Sequence, residues 1–568
     1  MSDNTSEKAT TNRREFIRTA GAGGAALSVA GMNVSAAAAA ATDEWDEQTD
    51  VAVLGYGGAG ACAAIEAHDA GAKVVLLEKQ SQATHTPNTR MAGGIFHCPN
   101  GDRAAIKEYA IALMSGENMA WKLEGEEPDL SNELADVWAA DTPGTVDYLK
   151  SLDPAFKPIA TGGPAFPTFP GAKEAGYRVF SATYTDKADV SVATRDLPKN
   201  QKMNGEAFFA VLTTAVANRK IPVRFEVAAE ALISDGAGRI VGVLANRNGK
   251  PFRIKAKRAV VITTGGYEYN IAMRRGFLEG PGVKGWAFWG TPANTGDGIE
   301  MAIAFGARLD KVAKSAAGLM VGIPHPESGL KIGVGHNGDA APHTMTVDNY
   351  GKRYANEVLH NIDPSRYFFY KEVVAFDVLT LDYPRCPSWM IFDETFRAST
   401  PLANLGFGPV GQGLVSWSSD NSAEIKKGWI LKGSTVEELA AQIQAHPDNR
   451  HLMNTDTLVK AVARFNEICA QGKDSDFDRL ASTLGPIEKA PFYAAPLYAG
   501  GPNTKGGIAA NAKRQVLDWK GRPIPRLYSA GEISSAFKFV YQGGGNLTEC
   551  IVFGRIAGRN AAHEAAVG

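Results

Sequence analysis

Cysteine is scarce in this sequence, and the few cysteines form no recognisable binding pattern. Of 568 residues only five are cysteines, an odd number. They are scattered along the chain, at Cys62, Cys98, Cys386, Cys469 and Cys550. Because no C-x-x-C pair and no C-x-x-C-H sequence occurs, the spacing excludes a cysteine-built zinc or iron–sulfur site and an attached haem. We therefore expect neither a disulfide framework nor a metal site.

Long apolar runs and an excess of charge of one sign are also missing. No apolar run reaches the roughly 18 residues that a membrane-spanning helix needs. A net charge of -2 gives no support to binding of nucleic acid or of an anionic membrane surface. We expect no membrane span and no nucleic-acid partner. The 61 glycines are a high count, and they suit a fold that brings its backbone close to a large ligand.

The first 42 residues have the ordered features of an export signal. The basic segment Asn12–Arg18 contains the pair Arg13 and Arg14, and a weakly apolar stretch, Ala20–Val34, follows it. The alanines of Ala36–Ala41 offer a cleavage site. The arginine pair and the weak hydrophobicity resemble a twin-arginine signal, which predicts export to the periplasm or beyond. The alternative is a disordered basic tail.

A dinucleotide-binding fingerprint follows the predicted signal. The apolar run Asp50–Leu54 predicts a strand, and it leads into the G-x-G-x-x-G sequence of Gly55–Gly60. A helix of small residues, Ala61–Ala70, and a second strand, Lys73–Leu77, come next, with Glu78 at the end of that strand. This order predicts a β–turn–α–β unit with the glycines in its turn.

Each position of the fingerprint has an expected role. Gly55 permits the tight turn, Gly57, with Gly58 and Ala59 beside it, brings backbone to the pyrophosphate, and Gly60 allows close helix–strand packing. The helix N-terminus stabilises the phosphate charge. Glu78 is placed to accept hydrogen bonds from a ribose diol. The fingerprint alone does not separate NAD from FAD.

Several later segments resemble the fumarate reductase/succinate dehydrogenase flavoprotein superfamily, the FAD-dependent oxidoreductase 2 family. At its C-terminal end the chain is most similar to the 3-ketosteroid dehydrogenase and ene-reductase branch. The resemblance spans about residues 48–565. The matching segments are Asn88–Gly94, Val260–Tyr267, Thr295–Ala302, Asp348–Glu357, Ile391–Arg397, Tyr528–Glu532, Gly543–Asn546 and Phe553–Gly558.

The resemblance implies an α/β fold, with a Rossmann-like FAD-binding domain and an inserted α+β cap domain. The boundaries we expect are a signal at 1–42, the first part of the FAD domain at 43–310, the cap at 311–490 and the C-terminal part of the FAD domain at 491–568. It implies FAD as a non-covalent cofactor. The further FAD contacts that it implies are Gly93, Gly94, Gly265, Gly266, Asp297, Glu532, Asn546 and Leu547.

The chain departs from the fumarate reductases at two positions. Asn503 stands where their motif has a histidine, and Gln542 stands where it has an arginine. Because dicarboxylate recognition relies on charge-assisted hydrogen bonds, the loss of both donors argues against a C4-dicarboxylate substrate.

What remains resembles the ketosteroid branch, in which a tyrosine and a glycine four residues later hold a substrate carbonyl. Tyr541 and Gly545 match this pair and would form an oxyanion hole for an enolate. Arg397, which matches a proton donor of fumarate reductases, and His360 are the acid/base candidates. Tyr350, Tyr354 and Tyr367 are alternatives for proton transfer. Structural roles remain open for Tyr541, Arg397 and His360, as a core aromatic, an ion-pair partner and a packed histidine.

We expect an exported enzyme that acts on a CH–CH bond next to a carbonyl. The preferred direction is reduction of an enone, an unsaturated lactone or a 3-ketosteroid-like substrate. Because the chain has no haem motif, its electrons would come from an external redox protein, cytochrome- or quinol-linked. The alternatives are 3-ketosteroid dehydrogenation at the delta-1 or delta-4 position, an amine-type flavin oxidase, and a non-catalytic FAD electron carrier.

Overall fold

The computed structural model describes residues 39–40, 44–115, 130–185, 201–360, 365–537 and 540–567. The predicted export signal lies outside these residues, apart from Ala39–Ala40. These two residues pair in parallel with Ile233–Ser234. Within the described segments, no helix combines the length and hydropathy needed to cross a bilayer.

The larger sheet is built around buried parallel strands. Glu47–Leu54 lies between Lys250–Ile262 and Val74–Leu77 and is parallel to both. Its second half, Val51–Leu54, is fully buried, as expected for a strand that is covered on both faces. The late strand Pro523–Ser529 pairs in parallel with Lys250–Ile262, so the C-terminal part of the chain completes the sheet. The nine strands that the described residues contribute are Ala39–Ala40, Glu47–Leu54, Val74–Leu77, Val223–Arg224, Val227–Ser234, Ile240–Arg247, Lys250–Ile262, Gln515–Leu517 and Pro523–Ser529.

A second sheet takes most of its strands from the predicted cap, 311–490, and the others from predicted FAD-domain residues. Its two long strands, Leu309–His325 and Phe492–Ile508, pair in antiparallel fashion. The other strands found in this sheet among the described residues are Ala287–Phe288, Leu330–Val334, Thr344–Val347, Ser388–Asp393 and Leu431–Gly433. Smaller sheets are formed by Ile95–His97 with Ile159–Gly162 and Val179–Ser181, and by Thr183–Thr185 with Gln201–Met203. The domain boundaries themselves stay a prediction.

Two helices pack against each other beside the larger sheet. Gly58–Asp69 follows the first central strand, and Gly545–His563 lies against it. The other α-helices of the described chain are Asn88–Met91, Arg103–Ser115, Ser131–Asp141, Thr145–Leu152, Asn204–Asn218, Ile271–Phe277, Asp297–Ile303, Tyr370–Val373, Glu394–Ser399, Gly408–Gly411, Ser422–Lys426, Val436–Ala445 and Thr455–Gln471. The N-terminus of each helix of the packed pair points toward the carboxyl edge of the sheet, where the candidate site lies.

Candidate active site

A cleft opens at the carboxyl ends of the central strands, and its empty space, counted together with the solvent at its mouth, is about 1040 Å³. The residues that follow four of these strands line it, which is the position that ligands take in open α/β sheets. They are Gly55, Glu78, Thr263 and Gly531. The predicted contacts that line the cleft are Gly55, Gly57, Gly58, Ala59, Glu78, Gly265, Asp297, Glu532, Asn546 and Leu547.

The first turn has the shape that a dinucleotide needs. Gly55 has a φ of 97°, in the left-handed region that favours glycine. A Cβ atom at Gly60 would lie 2.0 Å from the carbonyl oxygen of Gly55, so this position packs the helix onto the turn rather than lining the cleft. The Gly58 N–H donates to Thr89 Oγ1 at 2.9 Å. The turn and the N-terminus of helix Gly58–Asp69 therefore form a cradle that fits a pyrophosphate.

Glu78 is held in place by hydrogen bonds at the end of its strand. Its carboxylate accepts from the backbone N–H groups of Tyr56, at 3.0 Å, and Gln80, at 2.8 Å. His85 Nε2 lies 3.4 Å from the same carboxylate. Burial raises the pKa of Glu78, but hydrogen bonding to His85 and the charge of His85, with the two N–H groups, leave that pKa below its usual range. Glu78 is thus an oriented, ionised acceptor for a ribose diol.

Replacing Glu78 with alanine is expected to weaken FAD binding about 10- to 100-fold, because a hydrogen bond to a charged group contributes about 1.5–3 kcal/mol. Titration of the apoprotein with FAD, followed by flavin fluorescence, measures the effect. The exposed carboxylate Glu300, which does not line the cleft, gives the matched variant Glu300→Ala. Equal affinity in the two variants would remove Glu78 from the FAD site.

The opposite wall of the cleft combines predicted residues with others that the motifs did not single out. Asp297, at the start of helix Asp297–Ile303, pairs with Lys79 at 2.6 Å. The Thr291 N–H donates to Asn88 Oδ1 at 2.6 Å, which fixes the orientation of that amide. Lys79 and Asn88 also line the cleft, and the sequence signals for them are that Lys79 follows Glu78 and that Asn88 begins the matching segment Asn88–Gly94.

Besides Gly60, three predicted glycines lie off the cleft lining. Gly93 and Gly94 precede strand Ile95–His97, and Gly94 packs against Asn204, where an added Cβ would lie 2.2 Å from the Asn204 carbonyl carbon. Gly266 packs against the carboxylate of Glu532 behind the cleft. Their role as direct FAD contacts stays a prediction.

The glycine-rich turn near the C-terminus ends at the helix Gly545–His563. Gly544 precedes this helix with a φ of 94°. His97 braces the turn, since its Nε2 lies 2.8 Å from the Gly543 carbonyl and its Nδ1 lies 2.8 Å from the Tyr177 hydroxyl. Burial lowers the pKa of His97 to about 4, against the raising effect of the Gly543 carbonyl. His97 is therefore neutral. His97 belongs to none of the sequence motifs, so sequence reasoning missed it.

Tyr541 lies beside this turn with a second tyrosine against it. The Gly544 N–H donates to the Tyr541 hydroxyl at 3.2 Å, and the ring of Tyr367 packs edge-on at 4.8 Å between centroids. A Cβ atom at Gly543 would lie 2.6 Å from the Tyr367 hydroxyl oxygen. Burial raises the pKa of Tyr541, so its hydroxyl keeps its proton. The Gly545 N–H donates to the Gln542 carbonyl at 2.9 Å, so it reaches a substrate oxygen only by exchanging this bond.

Asn503 and Gln542, which stand where the fumarate reductase motifs have a histidine and an arginine, both form hydrogen bonds within the protein. Asn503 Oδ1 accepts from Asn546 Nδ2 at 2.7 Å. Gln542 is buried, and its side-chain oxygen accepts from the Tyr109 hydroxyl. Neither residue supplies a charge to this side of the site.

Arg397 and His360, the other two acid/base candidates, form hydrogen bonds with residues of the second sheet and of the segments around it. Arg397 forms a bidentate pair with Glu394, three residues before it, and donates to the Asp420 carbonyl at 3.0 Å. His360 Nε2 accepts from the Leu319 N–H at 2.7 Å, and its Nδ1 faces the Asp339 carboxylate. These contacts are structural, and the roles of both residues as proton donors stay predictions.

His360, Asp339 and His336 bring their ligand-type atoms within 4.8 Å of one another. The Leu319 N–H requires an unprotonated Nε2 on His360, so the Nδ1 of that ring carries the proton and donates to Asp339. A metal on Nδ1 would require the opposite tautomer. The cluster is therefore a hydrogen-bonded His–Asp arrangement.

Comparison with known proteins identifies the family to which the chain belongs. A family model described as the FAD binding domain matches residues 50–547. The chain is 28% identical to the 4-oxocyclohexanecarboxylate 2-dehydrogenase of Sinomonas cyclohexanicum, with 91% of this chain and 93% of that protein covered. It is 25% identical to a fumarate reductase (cytochrome) of Shewanella frigidimarina, with 91% of this chain and 77% of that protein covered.

A solved structure agrees with these relatives. The 3-ketosteroid delta1-dehydrogenase from Sterolibacterium denitrificans, in complex with 1,4-androstadiene-3,17-dione, matches with a TM-score of 0.71 and 25% identity, over 91% of this chain and 99% of that chain. The predicted family, the Rossmann-like fold with a cap, and FAD as cofactor are confirmed. The chain belongs to the FAD binding domain family and is an FAD-dependent oxidoreductase acting on CH–CH bonds.

Proposed function

We propose that this protein is an exported reductase that saturates a C=C bond conjugated with a carbonyl group. The substrate would be an enone, an unsaturated lactone or a 3-ketosteroid-like molecule, and an external redox protein would supply the electrons. The observation that carries the proposal is the contact between Tyr541 and Tyr367 at the glycine turn, beside Asn546 and Leu547 of the FAD cleft. Two tyrosine hydroxyls there suit one carbonyl oxygen and one proton transfer.

Tyr541 is the donor to the substrate oxygen. The N–H of Gly544 occupies an acceptor position of its hydroxyl, so the hydroxyl hydrogen is directed to another acceptor. Bound FAD supplies the hydride chemistry, at the β-carbon of the substrate. As negative charge moves onto the carbonyl oxygen, a hydrogen bond from Tyr541 stabilises the enolate. The N-terminus of helix Gly545–His563 favours the same charge.

Tyr367 is the group placed to move the proton. Its hydroxyl oxygen lies close to Gly543, next to the Tyr541 ring. The enolate takes up a proton at its α-carbon, and Tyr367 delivers it and then regains a proton from solvent. Phe368, the next residue in the chain, has its ring 6.3 Å from that of the buried Phe166.

Dehydrogenation is the second candidate, and the relatives favour it. Two of them are named as dehydrogenases of oxo compounds. The same site serves both directions because each step is reversible. Reduction is preferred here because an exported enzyme meets little soluble NADH, and electrons derived from the membrane are a natural donor.

An anaerobic assay with two arms tests the proposal. One arm offers reduced viologen with enones, unsaturated lactones, 3-ketosteroids and fumarate. The other offers the saturated ketones with an artificial acceptor. We expect turnover of conjugated carbonyl compounds in the reductive arm. Fast fumarate turnover, or activity in the oxidative arm alone, would contradict the proposal, and no substrate-dependent change of the flavin spectrum would indicate an electron carrier.

Export is proposed on the ordered signal features alone. Changing both Arg13 and Arg14 to lysine is expected to leave a full-length precursor in the cytoplasm, because the twin-arginine route reads the pair. Fractionation and blotting for the mature form measure this. Arg18→Lys, the same change outside the pair, should be exported normally. Mature exported protein from the double variant would contradict the export proposal.

A further inference from the structure

A pair of buried carboxylates lies beside the cleft, away from the tyrosines. Glu532 follows strand Pro523–Ser529 and lines the cleft, and Glu268 lies behind it with no exposed surface. A Cβ atom at Gly266 would lie 2.1 Å from Glu532 Oε1 and 2.7 Å from Glu268 Oε2. The two carboxylates therefore face each other across a space that only a glycine leaves open.

Two asparagines hold this pair together from one side. Asn88 Nδ2 donates to Glu268 Oε1 at 3.0 Å and to Glu532 Oε2 at 2.9 Å. Asn294 Nδ2 lies 3.2 Å and 3.4 Å from the same two oxygens. On the other side the Thr504 N–H and hydroxyl donate to Glu532 Oε1 at 3.2 Å and 3.1 Å. Among the described residues, no hydrogen-bond donor reaches Glu268 Oε2 unless Glu532 is protonated.

The surroundings provide no cation that bonds either carboxylate, as far as the described residues extend. The titratable and charged groups that face the pair are Tyr267, Tyr269, Arg274, Lys505 and Cys550. Arg274 donates to three backbone carbonyls, and the ammonium of Lys505 bonds Asn546, Ser535 and Glu549. Burial raises the pKa of Glu532 and of Glu268, and the charge of Glu268 raises that of Glu532 further.

We propose that Glu268 and Glu532 share a single proton across Gly266, and that this proton keeps the cleft able to bind FAD at neutral pH. Two ionised carboxylates in contact and out of water repel each other strongly, and one shared proton removes that repulsion. Glu268 is then a positioning residue that acts on the cofactor through Glu532. The proposal depends on neither the substrate nor the direction of the reaction.

Proton sharing has a consequence for cofactor affinity. FAD carries an anionic pyrophosphate, so the singly charged pair binds it better than the doubly charged pair. By linkage, loss of the shared proton as pH rises must weaken FAD binding, and tight binding must in turn hold the proton. Tyr267, Tyr269 and Cys550 do not produce this effect, because their raised pKa values keep them neutral. Burial lowers the pKa of Lys505 and of Arg274, but any slope that these two cations contribute would remain in Glu268→Gln.

The test is titration of the apoprotein with FAD between about pH 6 and pH 9, above the usual carboxyl range. For the wild type we expect the Kd to rise with pH by up to about tenfold per unit, as release of one proton requires. Glu268→Gln leaves one carboxylate and no pair, and we expect Glu532 to be ionised across this pH range, so the Kd should stay flat and within about threefold of the wild-type value at pH 7. Glu300→Gln, an exposed carboxylate outside the cleft, should keep the wild-type slope.

Equal slopes in the wild type and in Glu268→Gln would overturn the proposal. A second measurement covers a variant that fails to fold. Infrared spectra of the wild-type holoprotein at pH 8 should contain the band of a protonated carboxyl group, and it should vanish in Glu532→Gln. Absence of this band from the wild type would also overturn it.

Discussion

Replacing Tyr541 with phenylalanine should lower kcat by about 10²-fold or more, the usual effect of removing one oxyanion donor. The substitution removes only the hydroxyl, and the packing of the ring against Tyr367 is retained. Because the hydrogen bond strengthens as charge develops on the carbonyl oxygen, kcat and kcat/KM should fall together. Steady-state rates with an enone that the wild type turns over, measured with reduced viologen, give both constants.

The protonation state of Tyr541 adds a second expectation. Burial raises the pKa of the hydroxyl, so it stays protonated across the neutral range and the loss should be the same at each pH tested there. Tyr528→Phe is the matched control, because its hydroxyl bonds Glu564 at 2.6 Å, away from the glycine turn. Unchanged kcat in Tyr541→Phe, with FAD still bound, would return Tyr541 to a packing role.

The sequence predicts best those parts of the site whose residues lie close together along the chain. Strand, glycine turn, helix and second strand follow one another in Asp50–Leu77, and the spacing of Gly55–Gly60 in that context is typical of a dinucleotide-binding turn. Glu78 ends the second strand and lines the cleft as expected. The C-terminal glycines were predictable for a related reason, because a single βαβ unit needs further strands to complete its sheet.

The parts that the sequence leaves open depend on long-range contacts. Asn88 bonds Glu268 although 180 residues separate them, and no periodicity in the chain encodes that pairing. Tyr367 was one of three tyrosine alternatives, and only folding brings it against Tyr541. Arg397 forms an i,i+3 ion pair with Glu394, a contact that its motif did not indicate, and its role as a proton donor stays a prediction.

A buried ion pair lies next to the glycine turn, and breaking this pair should have the largest effect on stability. Lys505 and Glu549 lie 3.3 Å apart, and each side chain is 1% exposed. Lys505 also bonds Asn546, which lines the FAD cleft and holds Asn503. Burial lowers the pKa of Lys505, which the charge of Glu549 partly offsets, so the pair depends on both partners.

Lys505→Met should therefore destabilise the protein by about 3–5 kcal/mol, because it leaves the Glu549 charge buried and unpaired. The double variant Lys505→Met/Glu549→Gln should regain about 0.5–3 kcal/mol relative to the sum of the single changes, since it removes that charge as well. Arg464→Met is the control, because its pair with Asp476 is 43% and 33% exposed, and solvent screening should leave its loss with little effect on stability. The thermal midpoint of the holoprotein, followed by release of flavin fluorescence, ranks the variants. If Lys505→Met loses no more stability than Arg464→Met, the buried pair does not hold the turn, and the link from Lys505 through Asn546 to the cofactor fails with it.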